Sequence, residues 1–352
     1  MKSCWQASLR DSIVSPVELA EKFNLDAAAM AAVAGRYPFR ITRHYFNLIR
    51  EVGDPVWRQA VPDLRELHDA AQHADPLNEN GLSPVPGLIH RYPDRVVWLV
   101  SNSCAVYCRF CMRKRQVGCG SGDSNPAAFA DALHYIRETP AIRDVVLSGG
   151  DPLLLDDCRL EHLLAALRQI PHIEIIRIGT RIPVTFPERI TAALCRIFKQ
   201  YHPVYLNTHF NHPVELTEAS RNACAMLADA GVQLGNQTVL LAGINDNAAV
   251  IAELFRKLLT FRVKPYYLHQ MDLVKGTAHF RTTVQKGLEI MGQLRGHVSG
   301  LAVPYYVIDL PAGKGKVPLL PEYGAAVGGV YMLRTYTGEL VEYRDSAITL
   351  PA

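Results

Sequence analysis

Six short β-branched or apolar runs, "RVVWLVS", "DVVLSGG", "EIIRIGT", "VYLNTHF", "VQLGNQTVLLAG" and "RVKPYYLHQM", alternate with amphipathic helical segments such as "AAFADALHYIRET", "RLEHLLAALRQI" and "AAVIAELFRKLL". Strands that alternate with helices are joined by right-handed crossovers and lie parallel, so the pattern predicts an α/β fold with a parallel sheet. The Gly-rich or polar stretches "SGGDP", "GTR", "NTHFNHP", "GNQ" and "HQMD" all fall at the C-terminal ends of these strands. That is the edge where barrels and open α/β sheets carry their sites. Residues 1–75 read instead as helices, with Ser15 and Glu18 of "SPVELAEKF" spaced as a capping box. A Pro- and Asn-rich connector follows, and the C-terminal part reads as strands and loops with a hairpin turn at "TGEL".

The chain has 352 residues, 49% hydrophobic, enough for one large domain or two modest ones. A net charge of +3 is too mild to imply a nucleic-acid or membrane partner. The longest plain apolar run, Ala27 to Ala34, follows acidic residues and falls well short of the roughly 20 residues of a membrane span. A soluble cytoplasmic protein is expected.

Without a secretory signal, the eight cysteines are not expected to form disulfides. Cys195 and Cys224 sit in helix-like apolar patterns and read as buried small hydrophobes, and Cys119 as a thiol in a Gly-rich loop. Only Cys104, Cys108 and Cys111, in "SNSCAVYCRFCMRKR", have ligand spacing. Thiolates select zinc, Cu(I) or iron–sulfur clusters. Structural zinc takes four ligands, and Cys119 or a histidine could complete such a set. A redox pair at Cys108 and Cys111 would leave Cys104 idle. A 4Fe–4S cluster on three cysteines would leave one iron open to a small molecule, since such clusters normally take four. The neighbouring Arg109, Arg113, Lys114 and Arg115 would balance the anionic cluster, and Phe110 alone offers no stacking platform for nucleic acid.

This ladder resembles that of the radical S-adenosylmethionine superfamily. "LSGGDPL", residues 147–153, lies at the end of the next strand, where the superfamily keeps its Gly-rich stretch. The resemblance implies a cluster on Cys104, Cys108 and Cys111, and Ser148, Gly149, Gly150 and Asp151 at the methionine end of S-adenosylmethionine.

Near the C-terminus, "DLPAGKGKVPLLP" offers Lys314 and Lys316 in a Gly- and Pro-rich loop. Such a loop is either a basic surface turn or the seat of a Schiff-base lysine, and physics alone does not choose between the two lysines. From "SPVPGLIHRYPDRVVWLV" through "NTHFNHP", "LADAGVQLGNQTVLLAGIND", "PYYLHQMDL", "AHFRT" and "LRGHVSGLAVP" to "DLPAGKGKVP", the chain resembles the lysine 2,3-aminomutases over roughly residues 80 to 345. Those enzymes move the α-amino group of lysine to the β-carbon with a 4Fe–4S cluster, S-adenosylmethionine and pyridoxal phosphate, on an incomplete (βα)6 TIM-like barrel. Four stretches are implied: a helical region (1–75), a connector with pyridoxal-phosphate contacts (76–95), the radical core (96–270) and a substrate and Schiff-base segment (271–352).

Carried over residue by residue, the resemblance places the Schiff base on Lys316 and the pyridoxal phosphate near Arg91, Tyr92 and Arg95. Arg113 grips the substrate carboxylate, which suits the fork of a guanidinium. His209 and Gln237 line the S-adenosylmethionine site, and Asp272 and Asp309 read the substrate side-chain ammonium. An electron donor such as flavodoxin or ferredoxin is implied as well. Longer relatives carry a zinc-binding C-terminal extension that helps hold an oligomer. This chain ends at Ala352 without it, which puts stable oligomerisation in that manner in doubt and leaves a homo-oligomer of another kind open. The readings left beside free lysine are a lysine of translation elongation factor P, arginine, and, from another class, a zinc-stabilised α/β binding protein without catalysis. A glutamate enzyme should replace one of the two Asp residues.

Overall fold

The computed structural model describes residues 4–69, 73–118, 126–327 and 330–344, so Cys119 lies outside the described residues. The N-terminal part is a set of short helices, α1 (Cys4–Arg10), α2 (Pro16–Phe23), α3 (Ala27–Ala34), α4 (Arg43–Phe46) and α5 (Pro55–Ala60), followed by a 3-10 turn at Leu64–Leu67. Side-chain caps end them: Ser15, Asp26, Thr42 and Asp54 each accept a backbone N–H of the first turn. The expected box at Ser15 is half realised. Ser15 caps α2, but the Glu18 carboxylate reaches across to Arg43 instead of returning to the Ser15 amide.

Two antiparallel strands, β1 (Leu88–Tyr92) and β2 (Arg95–Ser101), lead into the alternating region. There follow α6 (Pro126–Arg137), β3 (Asp144–Gly149), α7 (Asp157–Arg168), β4 (Ile175–Gly179), the short α8 (Ile182–Thr185), α9 (Ala192–Gln200), β5 (Val204–Thr208), α10 (Glu218–Asp229), β6 (Gln233–Leu240), α11 (Ala248–Thr260), β7 (Lys264–Gln270), α12 (Val284–Leu294) and β8 (Tyr305–Asp309). All six runs read from the sequence are strands, and β8 extends the parallel series beyond them. β9 (Lys316–Leu319) then pairs antiparallel with β8, setting Lys316 opposite Asp309. Among the described residues these form a nine-stranded sheet in sequential order, curled into an incomplete barrel. A separate antiparallel sheet, β10 (Gly324–Val327), β11 (Val330–Arg334) and β12 (Leu340–Arg344), contains the "TGEL" turn.

Alternation along the strands sorts residues into two populations. Val96, Trp98, Val145, Leu147, Ile176 and Ile178 are buried in the core. Their neighbours Val97, Asp144, Val146, Ser148, Arg177 and Gly179 instead line an inner cavity. Among the described residues, no helix is long and apolar enough to cross a membrane.

The helical region grips the cysteine loop. Arg109 donates its backbone N–H to the Gln59 carbonyl and its Nη1 to the Pro38 carbonyl, and Tyr107 N–H bonds the Arg40 carbonyl. Glu66, fully buried, takes Arg109 Nε at 2.9 Å and Nη2 at 2.5 Å, and Lys114 Nζ at 2.5 Å. Removing the one anion from such a cluster leaves two buried cations uncompensated, which costs about 3–5 kcal/mol. E66Q should therefore lower the free energy of unfolding measured by chemical denaturation by that amount, whereas substitution of the exposed Glu253, paired with Lys257, should change it by under about 1 kcal/mol. Equal effects on unfolding would show that Glu66 is not a brace.

Candidate active site

The cavity inside the curled sheet has a volume of about 770 Å³. It runs from strand N-termini, where Arg95, Asp144 and Tyr305 lie, to the C-terminal ends that carry Ser148, Gly149 and Asp309. Every site residue named from the sequence lines it: the three ladder cysteines, Arg91, Tyr92, Arg95, Arg113, Ser148, Gly149, Gly150, Asp151, His209, Gln237, Asp272, Asp309 and Lys316. Lys314 does not line it and is exposed.

The ladder hangs from the loop after β2. Its position depends on the glycines after β3. Gly149 has φ +127°, and a Cβ there would collide with the Ser101 carbonyl oxygen, while one on Gly150 would lie 2.5 Å from the Ser103 oxygen. Their absence lets Gly150 N–H bond Ser101 O at 2.6 Å and Asp151 N–H bond Ser103 O at 2.7 Å. The Asp151 carboxylate is engaged within the protein, accepting from Thr180 Oγ1 (2.6 Å), Arg181 N (2.8 Å) and Leu153 N (3.1 Å), so it ties β3 to β4.

Burial, with Cys108 as a negative neighbour, pushes the Cys111 thiol up to about 11. The Cys104 thiol is raised well above its ordinary range by burial, then by Asp151 and the other two sulfurs. Cys104 and Cys111 so placed ionise easily only when a positive group takes them. Among the described residues, no three His, Cys, Asp or Glu side chains gather about one ion position. A cluster that draws each thiolate to a separate iron fits such a loop.

The cations beside the ladder divide differently from the expected charge balance. Arg109 and Lys114 are neutralised by Glu66, and Arg115 Nη2 lies 3.1 Å from Asp75 and 3.6 Å from Glu79. The cation in contact with a ladder sulfur is Arg181, whose Nη1 stands 2.9 Å from Cys108 Sγ. Arg113 is held by the buried Glu79, through Nε at 3.1 Å and Nη2 at 2.8 Å, and its Nη1 reaches Ser148 Oγ at 3.2 Å. Of the cavity-lining histidines, His209 is pushed down to about 4 by burial and by Arg181 and Arg113. His269 is pushed well below its usual range by burial and Lys316.

The opposite wall is the seam of the incomplete barrel. Asp309, only 5% exposed, binds Lys316 Nζ and Arg91 Nη1, the latter at 3.1 Å, and His269 Nδ1 lies 3.7 Å away. Tyr92 closes β1 and lines the cavity. Its hydroxyl accepts the Lys316 backbone N–H at 2.7 Å, and its ring lies 4.0 Å from the Arg95 guanidinium. Asp272 is pushed up to about 7 by burial and by the charge of Asp309.

Sequence reasoning missed Glu66, Glu79, Arg181 and His269. Glu79 sat in the irregular "DPLNENG" connector, and Arg181 and His269 were seen only as polar strand ends in "GTR" and "LHQMD". Nothing local marked their partners, which come from distant parts of the chain.

A family model described as the radical SAM superfamily matches residues 98–255, and one described as lysine-2,3-aminomutase matches residues 291–349. With three thiols on a loop at the strand ends, this defines the class: a radical S-adenosylmethionine enzyme, with a 4Fe–4S cluster and S-adenosylmethionine as its radical source. The L-lysine 2,3-aminomutase of Clostridium subterminale is 49% identical over 97% of this chain and 84% of its own. The E. coli L-lysine 2,3-aminomutase is 37% identical over 90% of this chain and 94% of its own. A glutamate 2,3-aminomutase of Clostridioides difficile is 44% identical over 97% of this chain and 82% of its own. The chain belongs to the lysine 2,3-aminomutase family and is an isomerase, a radical aminomutase.

The raised Asp272 has a measurable cost. An unfolded Asp ionises near 4, so between about pH 4 and 7 the folded protein holds a proton that the unfolded chain has lost. Stability therefore falls as pH rises through that window, and the cost is complete above about 7. D272N should melt higher than the parent at pH 8, with the gain shrinking towards pH 4. A gain independent of pH would show that Asp272 ionises normally.

Proposed function

We propose that this enzyme converts L-lysine to β-lysine, with pyridoxal phosphate carried on Lys316. The observation that carries the reading is the pairing of Asp272 and Asp309 in one cavity with Lys316, Arg113 and the cysteine loop. Asp309 already holds a lysine ammonium, that of Lys316, and so shows the chemistry of the group it would accept from a substrate. Two carboxylates near a cation suit the side chain of lysine and repel that of glutamate.

The residues for pyridoxal phosphate fit that group. Lys316 presents its amine in the cavity, Arg95 lines the same wall, and Arg91 has a buried Nε with no partner, a donor free for a phosphate oxygen. When bound, the cluster and S-adenosylmethionine supply one-electron hydrogen abstraction, and pyridoxal phosphate supplies a π-system across which an amino group can migrate. The protein's part is placement. Arg113, its fork held by Glu79, keeps one nitrogen towards Ser148 and offers the cavity a fixed cation for the amino acid carboxylate. Asp272 and Asp309 hold the far end, so the substrate is fixed at both ends and its β-carbon is held in one place. His209 stays neutral beside the cysteine loop and adds no charge there. The reaction is an isomerisation, and no net electron is consumed.

Asp272 must be ionised to hold an ammonium. Lysine affinity should therefore weaken as pH falls below about 7, with the apparent KM rising while arginine-free buffers and cluster content are kept constant. The direct test uses anaerobically reconstituted protein with dithionite, S-adenosylmethionine and pyridoxal phosphate. L-lysine should yield β-lysine. Borohydride should trap pyridoxal phosphate on the parent and on K314A but not on K316A. Trapping on K316A, or no turnover of lysine by fully loaded enzyme, would refute the assignment.

A further inference from the structure

Arg181 is the one residue of the cavity whose surroundings exceed anything the site described so far requires. Its side chain is 8% exposed and every nitrogen has a partner. Nε donates to the His209 carbonyl at 3.1 Å. Nη2 meets Gln59 Oε1 at 2.6 Å, Glu215 Oε1 at 2.7 Å and the Tyr45 hydroxyl at 3.1 Å. Nη1 is left pointing at Cys108 Sγ, 2.9 Å away. Nε and Nη2 are clamped by these groups, so the third nitrogen, Nη1, is directed onto a ladder sulfur.

The clamp is itself fixed. Glu215 is fully buried and takes Tyr45 OH at 2.6 Å, Gln59 Nε2 at 3.0 Å and the Asn211 backbone N–H at 2.6 Å. Asn211 Nδ2 in turn donates to Gln59 Oε1 at 2.9 Å. Tyr45 and Gln59 come from α4 and α5, so the helical region reaches the ladder by this second route as well as through Glu66. The guanidinium also lies 5.3 Å from the Phe110 ring, in surroundings of low polarity where charge acts strongly.

The geometry points to Arg181 as a positioning residue that sets the reduction potential of the cluster through Cys108. Reduction adds one electron to the cluster from an external one-electron donor, and no proton or other group changes hands. A hydrogen-bond donor on a ligating sulfur, and a positive charge close to it, both stabilise the reduced form and raise the potential. Glu215 opposes this from the far side of the guanidinium, so the potential reflects the balance of the pair. Arg, unlike Lys, keeps its charge under all conditions and has enough donors to hold its partners and the sulfur together.

The test is a dye-mediated potentiometric titration of the reconstituted enzyme without S-adenosylmethionine, following the electron paramagnetic resonance signal of the reduced cluster. Iron content is checked to remain at about four per chain. R181M should shift the midpoint to a more negative potential, R181K by less, and E215Q to a more positive one. R181M/E215Q should fall between the two single variants. R181K and E215Q both keep a cation near Cys108, so they decide the sign even if R181M does not fold. Shifts of R181K and E215Q in the same direction would mean a general disturbance of the loop and overturn the proposal. So would an unchanged midpoint in R181M together with weakened S-adenosylmethionine binding, which would assign the guanidinium to that ligand.

Discussion

Asp309 stands where the two edges of a curled sheet have to be joined without a hydrogen-bond ladder. The strand order leaves β1 and β9 unpaired with one another, and side chains close the gap: Asp309 binds Arg91 from one edge and Lys316 from the other, while Tyr92 receives the Lys316 amide. A buried carboxylate with two cationic partners is secure, whereas one left alone would be costly. The seam therefore gathers a lysine amine, two arginines and two carboxylates along one cavity. A complete barrel, hydrogen-bonded all round, would have had no reason to place them there.

The opposite wall solves a different electrostatic problem. Burial and the neighbouring sulfurs suppress the ionisation of Cys104 and Cys111, so the loop must be held open by something other than its own chemistry. The N-terminal helical region and the connector after it do this. Glu66 neutralises Arg109 and Lys114, Glu79 orients Arg113 and Arg115, and Tyr45 and Gln59 hold Arg181. Between the two walls lies a cavity of about 770 Å³, with the cysteine loop at the strand C-termini.

Much of this was legible in the chain. Period-two and helical patterning located six of the parallel strands, and the spacing of Cys104, Cys108 and Cys111 pointed to the working edge. The resemblance in "DLPAGKGKVP" separated Lys316 from Lys314, which local physics could not, and the structure puts only Lys316 in the cavity. β8 was read merely as part of a strand-and-loop region because "YYVID" is short and follows no clear helix signal. Buried ion pairs and hydrogen bonds between distant residues were the least legible part. Glu66 meets Arg109 across 43 positions and Arg181 meets Gln59 across 122, separations that leave no trace in local pattern. Gly149 and Gly150 show the converse: the dipeptide was visible, but its reason is the collision a side chain would have with Ser101 and Ser103.

The substrate assignment rests on charge at the seam, and the most direct measurement is a comparison of kcat/KM for L-lysine, L-arginine, L-glutamate and translation elongation factor P under one set of reconstituted, anaerobic conditions. L-lysine should be turned over to β-lysine with the highest kcat/KM, with L-glutamate inert because Asp272 and Asp309 repel its side chain. Preferred turnover of L-glutamate, or of the protein substrate over free lysine, would contradict the reading.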